Sequence, residues 1–195
     1  MKEMSQSKQH AICVLGMHRS GTSAITRALN LLGAYIGPTE KLLPPQEDNP
    51  EGFWEHEAIV DFHLRLLRTL DRSWYSTMPL PERWWERPEI EPYRHELIAL
   101  LEQEFAAQRL WMWKDPRTSL VLPLWNDVLR QLDVDVHYVI CLRNPLDVAA
   151  SLQRRDGFSQ KKSLALWQLY NVSAFYWTQH VTRWVVSYDL SLIHI

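Results

Sequence analysis

Residues His10 to Gly16 (HAICVLG) form a short, almost unbroken apolar run that stops at glycine, and a helical pattern begins at Gly21. A run of this kind predicts a strand buried on both faces, as in a parallel sheet. From Gly21 to Leu32 the apolar residues Ile25, Leu29 and Leu32 recur at helical spacing, with Ala24 and Ala28 between them, and Gly33 stands where a helix should end. Between strand and helix lies Gly16-Met17-His18-Arg19-Ser20-Gly21-Thr22-Ser23. Two glycines set apart in this way let successive backbone N–H groups curl round an oxyanion at the positive end of a helix. The plainer alternative is a glycine-containing turn that only permits tight packing.

The rest of the chain repeats the alternation. Tyr35 to Phe53 is rich in Pro, Gly, Asp and Asn and predicts a long irregular segment of the functional or mobile kind. Helical periodicity runs from Glu55 to Leu70, and again from Glu91 to Gln108, across a Trp/Pro-rich connection from Pro79 to Pro92. Leu110 to Lys114 (LWMWK) predicts a strand, Val121 to Leu132 a helix, and Val136 to Leu142 (VHYVICL) a second buried strand. Helices over 146–155 and 161–179 and a last strand over Trp184 to Ser187 complete the series. Strands alternating with helices predict a single α/β domain over residues 1–195 with a central, mostly parallel sheet flanked by helices; with the glycine loop after the first strand, the expected form is a P-loop-type three-layer sandwich. The tail after Tyr188-Asp189 runs SLIHI, apolar enough to suggest a truncated or scarred terminus.

Composition narrows the partners. With 21 basic and 23 acidic side chains the formal charge is −2, so there is no overall basic excess of the kind that marks nucleic-acid or anionic-membrane binding. Cys13 and Cys141 both fall inside apolar strands and read as small hydrophobes, and no recognised metal motif is present. No run approaches the roughly 18 apolar residues of a membrane span, and the polar start lacks a signal-peptide core. These features predict a soluble, cytoplasmic protein. The ten tryptophans fit core and lid packing or, alternatively, stacking against a sugar.

The glycine loop keeps the gap of a Walker A loop, but Thr22 stands where a nucleotide triphosphatase has its lysine. The nearest cation is Arg19, inside the loop. Beyond the strand Val136 to Leu142, where an acidic metal partner would stand, the sequence has Arg143. A cationic pocket without a metal carboxylate suits a donor with fewer charges at its reacting end than a triphosphate. Arg143 falls at the carboxyl end of its strand, where open α/β sheets bind ligands. Ser151 lies about two turns down the next helix, so the two can grip a second phosphate; a surface Arg and an unrelated helical Ser are the alternative.

GMHRSGTS followed by CLRNPLDVAASLQRR resembles the two signature segments of sulfotransferases that use 3′-phosphoadenosine 5′-phosphosulfate (PAPS). The resemblance runs from about His10 to Tyr188 and rests mainly on these two segments. It implies that the loop residues His18, Arg19, Ser20, Gly21, Thr22 and Ser23 bind the 5′-phosphosulfate. It implies that Arg143 and Ser151 bind the 3′-phosphate, and that Tyr188, in Ser187-Tyr188-Asp189, lies near the adenine. The donor would be PAPS, the product adenosine 3′,5′-bisphosphate, and the acceptor a hydroxyl on a carbohydrate or small molecule, with no metal required. The chain departs from the family pattern at Arg19, which is Lys in cytosolic members, and at Ala24, where those members carry an adenine-stacking Trp. A C-terminal Arg/Lys-Gly segment is also absent.

Sulfuryl transfer needs a base for the acceptor, donors for the moving group and a cation at the departing oxygen. Arg19 suits the last role. Lys114, in Lys114-Asp115-Pro116, resembles a lysine of tyrosyl-protein sulfotransferases that contacts the transferring group, or is an ordinary strand-ending lysine. Glu55 is the favoured base by similarity to carbohydrate and protein sulfotransferases, or is a capping charge at a helix start. His56 and His18 are the other candidate bases. A P-loop kinase and a non-catalytic anion-binding module of the same fold remain as alternatives.

Overall fold

A computed structural model describes residues 8–47 and 49–188. The elements run β1 (His10–Leu15), α1 (Thr22–Leu31), α2 (Glu57–Thr69), α3 (Glu91–Phe105), β2 (Leu110–Lys114), α4 (Thr118–Gln131), β3 (Asp135–Leu142), α5 (Pro145–Asp156), α6 (Gln160–Trp177) and β4 (Arg183–Ser187). The four strands make one sheet in the order β2-β1-β3-β4, and every neighbouring pair is parallel.

Strand alternation sends side chains to two faces. Ala11, Cys13 and Leu15 of β1, Trp111 and Trp113 of β2, and Tyr138 and Ile140 of β3 enter the main core, with apolar residues of α2 to α6. Val14, Val139 and Cys141 point the other way and meet Ile25 and Leu29 of α1. Helices therefore cover both faces of a parallel sheet, which explains why β1 and β3 read as continuous apolar runs. Both cysteines are buried and unpaired. No helix among the described residues is long and apolar enough to cross a membrane.

Aromatic stacking fills the main core. Trp113 lies on Trp125 with centroids 4.5 Å apart and planes at 12°, and Phe105 lies on Trp111 at 4.5 Å and 17°. Trp84, Trp111, Trp113 and Trp125 are buried, so core packing accounts for four of the tryptophans.

Two boundaries differ from the sequence expectation in ways that shape the site. α2 begins at Glu57 with His56 as its N-cap, so Glu55 lies outside the helix and is not a capping charge. α4 begins at Thr118 instead of Val121 and is kinked, with Val121 at φ −111° and ψ 17°. Pro123 has no N–H to give the carbonyl of Ser119, four residues back. That carbonyl instead accepts from Ser173 Oγ of α6 at 2.6 Å, while Ser119 Oγ accepts from the Gly16 amide at 3.3 Å. The kinked turn thus ties α6 to the start of the glycine loop.

Candidate functional site

All four strands end at one edge of the sheet, and each delivers a candidate residue there. After β1 comes the Gly16–Ser23 loop, β2 ends on Lys114, β3 hands over to Arg143 and β4 to Tyr188. This is the edge where open parallel sheets hold ligands. A cleft of about 810 Å³ opens on it, and its walls include His18, Arg19, Gly21, Thr22, Ser23, Glu55, Lys114, Arg143 and Tyr188.

The loop is bent by its glycines. Gly16 has φ 142°, and a Cβ there would come within 2.6 Å of the Cys141 carbonyl oxygen. Gly21, at φ 83°, is the N-cap of α1, and a Cβ on it would strike the Tyr188 ring at 1.9 Å. No side chain caps α1, and its first turn carries no acidic residue. The first amides of a helix have no partner within it, so the positive end of α1 faces the cleft with neither a cap nor a nearby carboxylate of its own.

The arginines converge on this loop. Arg19 sits at φ 69°, and its Nε donates to Ser151 Oγ at 2.9 Å. Arg143 Nη1 donates to the Arg19 carbonyl at 3.1 Å, and its guanidinium lies 4.7 Å from the centre of the Tyr188 ring. Ser151 is buried beside Arg19, and Ser20 is buried within the loop, its Oγ without a hydrogen-bond partner. The two segments the sequence treated as separate anion sites are therefore in direct contact. Asn144 caps α5, accepting from the Leu146 amide at 2.9 Å, with Pro145 in its first turn.

Opposite the arginines lies a buried charge cluster. Lys114 Nζ contacts Glu55 Oε1 at 2.5 Å and Ser23 Oγ at 3.4 Å, so it bridges the candidate base and the loop. Arg117 Nη1 reaches Glu55 Oε2 at 3.6 Å and Asp115 Oδ1 at 2.8 Å. Burial pushes the Glu55 carboxyl up from its ordinary value, with Lys114 pulling the other way. Burial would raise Asp115 as well, but Arg117 and His63 hold its carboxyl well below the usual range. His63 Nδ1 lies 2.8 Å from Asp115 Oδ2. Trp125 donates its indole N–H to His63 Nε2 at 2.8 Å, so Nε2 is the bare nitrogen and the Nδ1 proton points at Asp115.

The two histidine alternatives part company. His18 lines the cleft, 4.6 Å from the Trp74 ring, and burial together with Arg117 and Arg155 lowers its pKa well below the ordinary value. His56 turns away from the cleft and lies 3.4 Å from Glu104, its side chain 2% exposed. It is a packing residue. On the cleft wall Arg155 lies over Trp74 at 5.4 Å and donates to Asp156 Oδ2 at 2.8 Å.

Sequence reading missed Arg117, Asp115, His63 and Trp125 as one connected set. His63 carried the only local signal, a polar residue on the buried stripe of Ile59, Phe62 and Leu66. Asp189, grouped with Tyr188 in the sequence, lies outside the described residues, as does the tail that follows it. A scan of family models finds no match to the chain, and a search of curated proteins returns no similar sequence.

Proposed function

We propose that the cleft binds PAPS through a P-loop-type turn and transfers its sulfuryl group to an acceptor hydroxyl. The observation that carries this reading is the meeting, in one cleft, of an uncapped helix start with the Arg19 and Arg143 guanidinium groups. Three buried nitrogens of cleft residues, Arg143 Nε, Arg117 Nε and His18 Nε2, have no hydrogen-bond partner. The two guanidinium Nε–H groups are obligate donors, and a buried donor in that state costs about 1–3 kcal/mol unless something accepts from it; phosphate and sulfate oxygens only accept. The residues present therefore fit a polyanionic donor. The carboxylate oxygens of Asp115 are engaged by His63 and Arg117, which leaves them ill placed to hold the metal a triphosphate would require.

The donor supplies an activated sulfuryl group whose S–O bond to phosphate breaks as the acceptor oxygen bonds to sulfur. The amides of Thr22 and Ser23 receive the 5′-phosphate side, with Arg19 neutralising the oxygen that departs with the electron pair. Arg143 and Ser151 receive the 3′-phosphate, so donor binding exchanges the Arg19–Ser151 bond for phosphate contacts. Glu55 takes the acceptor proton, and Lys114, already reaching Ser23, stabilises the moving group. Glu55 must be released from Lys114 for this step. That release follows when an anionic group competes for the ammonium.

Calorimetry with adenosine 3′,5′-bisphosphate and with ATP tests the donor class. The bisphosphate is expected to bind and ATP to bind far more weakly. Arg143→Ala is expected to lose one charged phosphate contact, about 1.5–3 kcal/mol or roughly 10- to 150-fold in affinity. Tighter binding of ATP, or a bisphosphate affinity indifferent to Arg143, contradicts the assignment.

A further inference from the structure

At the opposite edge of the sheet, where the strands begin, three polar side chains precede a cluster of apolar ones on one face. His10 opens β1 and Asp135 opens β3, and the two are register partners, so their side chains share a face. His137, two residues along β3, joins them on that face. Further up, Ile12, Val14, Val139 and Cys141 pack under α1 through Ile25 and Leu29. The polar trio lies below that cluster.

The geometry points to a zinc-type divalent transition-metal site made by His10, Asp135 and His137. One ligand atom from each of the three lies within 4.8 Å of the others. His10 Nδ1 is 3.2 Å and His137 Nε2 3.7 Å from the same oxygen, Asp135 Oδ2. A charge-assisted N–H···O bond would be shorter, about 2.7–2.9 Å. Two donors each about 2.0–2.1 Å from a tetrahedral zinc stand roughly 3.3 Å apart, and the two distances bracket that spacing. The nitrogen ligands select zinc, copper or nickel over magnesium or calcium; the mixed imidazole–carboxylate set is of the zinc type.

The scaffold is prepared in advance. The Asp135 amide donates to the Gln9 carbonyl at 2.9 Å and the His10 amide to the Arg109 carbonyl at 2.9 Å, so the sheet ladder fixes both backbones. The two imidazoles stack at 15° with centroids 6.0 Å apart, and Trp184 backs His137 at 5.7 Å. The three side chains are 41%, 44% and 28% exposed for His10, Asp135 and His137, so an ion can enter and a fourth position stays open to water. Six steps along the chain, from His10 through β1 to Gly16, separate this cluster from the start of the glycine loop, about 20 Å at a strand's rise. The metal therefore takes no part in transfer. It clips together the amino ends of the two central strands, which lie far apart in sequence.

Titration of the metal-stripped full chain with zinc chloride in a calorimeter tests the site. One equivalent is expected to bind and to raise the melting temperature of the wild type. Asp135→Asn and His137→Gln are each expected to weaken zinc binding at least tenfold and to abolish the thermal shift. In chelator their melting temperatures should match the wild type, because the side chains are partly exposed. His95→Gln, at an exposed histidine elsewhere, should change nothing and so separates this site from adventitious binding to surface imidazole. Should a β3 variant fold poorly, His10→Gln carries the same expectation. Equal zinc affinity in wild type and the Asp135→Asn/His137→Gln double variant overturns the proposal. So does absence of binding at about 100 μM free zinc, where even a modest three-ligand site fills.

Discussion

At the scale of single residues, the site turns on how Glu55 is held. A buried carboxylate at 2.5 Å from Lys114 and 3.6 Å from Arg117 is neither solvated nor idle. In the proposed role of base it must be unprotonated, and burial raises its pKa above the ordinary 4.5. The acid limb of kcat/KM is therefore expected above pH 4.5, with activity falling as the pH drops through it; a limb at or below that value would remove Glu55 from the role. Glu55→Gln is expected to reduce turnover by about 10²-fold or more while leaving bisphosphate affinity nearly unchanged. Turnover close to wild type in that variant would eliminate Glu55. Asp115 has the opposite sign. Its carboxyl is lower in the folded chain than the ordinary 3.8, so the folded state binds fewer protons there. Its contribution to stability is complete above about pH 4 and is lost as the pH falls further. Chemical denaturation from pH 6 down to pH 3 should show a steeper loss for wild type than for Asp115→Asn; parallel profiles would contradict this.

At the scale of elements, the sequence is legible where burial is two-sided and opaque where partners come from far away. β1 and β3 show as apolar runs because helices cover both faces, and the loop between β1 and α1 is marked by Gly16 and Gly21, whose backbones no other residue adopts easily. α4 is different: Pro123 suggests a helix beginning nearby, yet the chain starts one turn earlier and kinks, because Ser173 of α6 satisfies the Ser119 carbonyl. Nothing local announces that partner. The same holds for Glu55, Lys114, Arg117, Asp115, His63 and Trp125, which join a loop, a strand end and two helices. Two outcomes follow at this scale. Ser173→Ala strands the Ser119 carbonyl, at a cost of about 1–2 kcal/mol, and should lower the melting temperature measurably; an unchanged transition would mean another group takes its place. Gly21→Ala forces a methyl into the Tyr188 ring and should weaken bisphosphate binding more than it lowers the melting temperature. Unaltered affinity would show that the Gly21–Tyr188 contact does not shape the cleft.

At the scale of the whole molecule, the parallel sheet gives the protein two chemically different edges. Its carboxyl edge gathers the glycine loop, Lys114, Arg143 and Tyr188 around one cleft, and its amino edge brings His10, Asp135 and His137 together. Parallel order makes this separation unavoidable, since every strand starts at one edge and finishes at the other. In the proposed function a single nucleotide reaches both halves of the carboxyl-edge cleft. A crystal structure of the protein with adenosine 3′,5′-bisphosphate tests it most directly. The 5′-phosphate is expected within hydrogen-bond distance of the Thr22 and Ser23 amides, and the 3′-phosphate on Arg143 and Ser151. A nucleotide that touches only one of these groups, or that lies outside the cleft, would contradict the account.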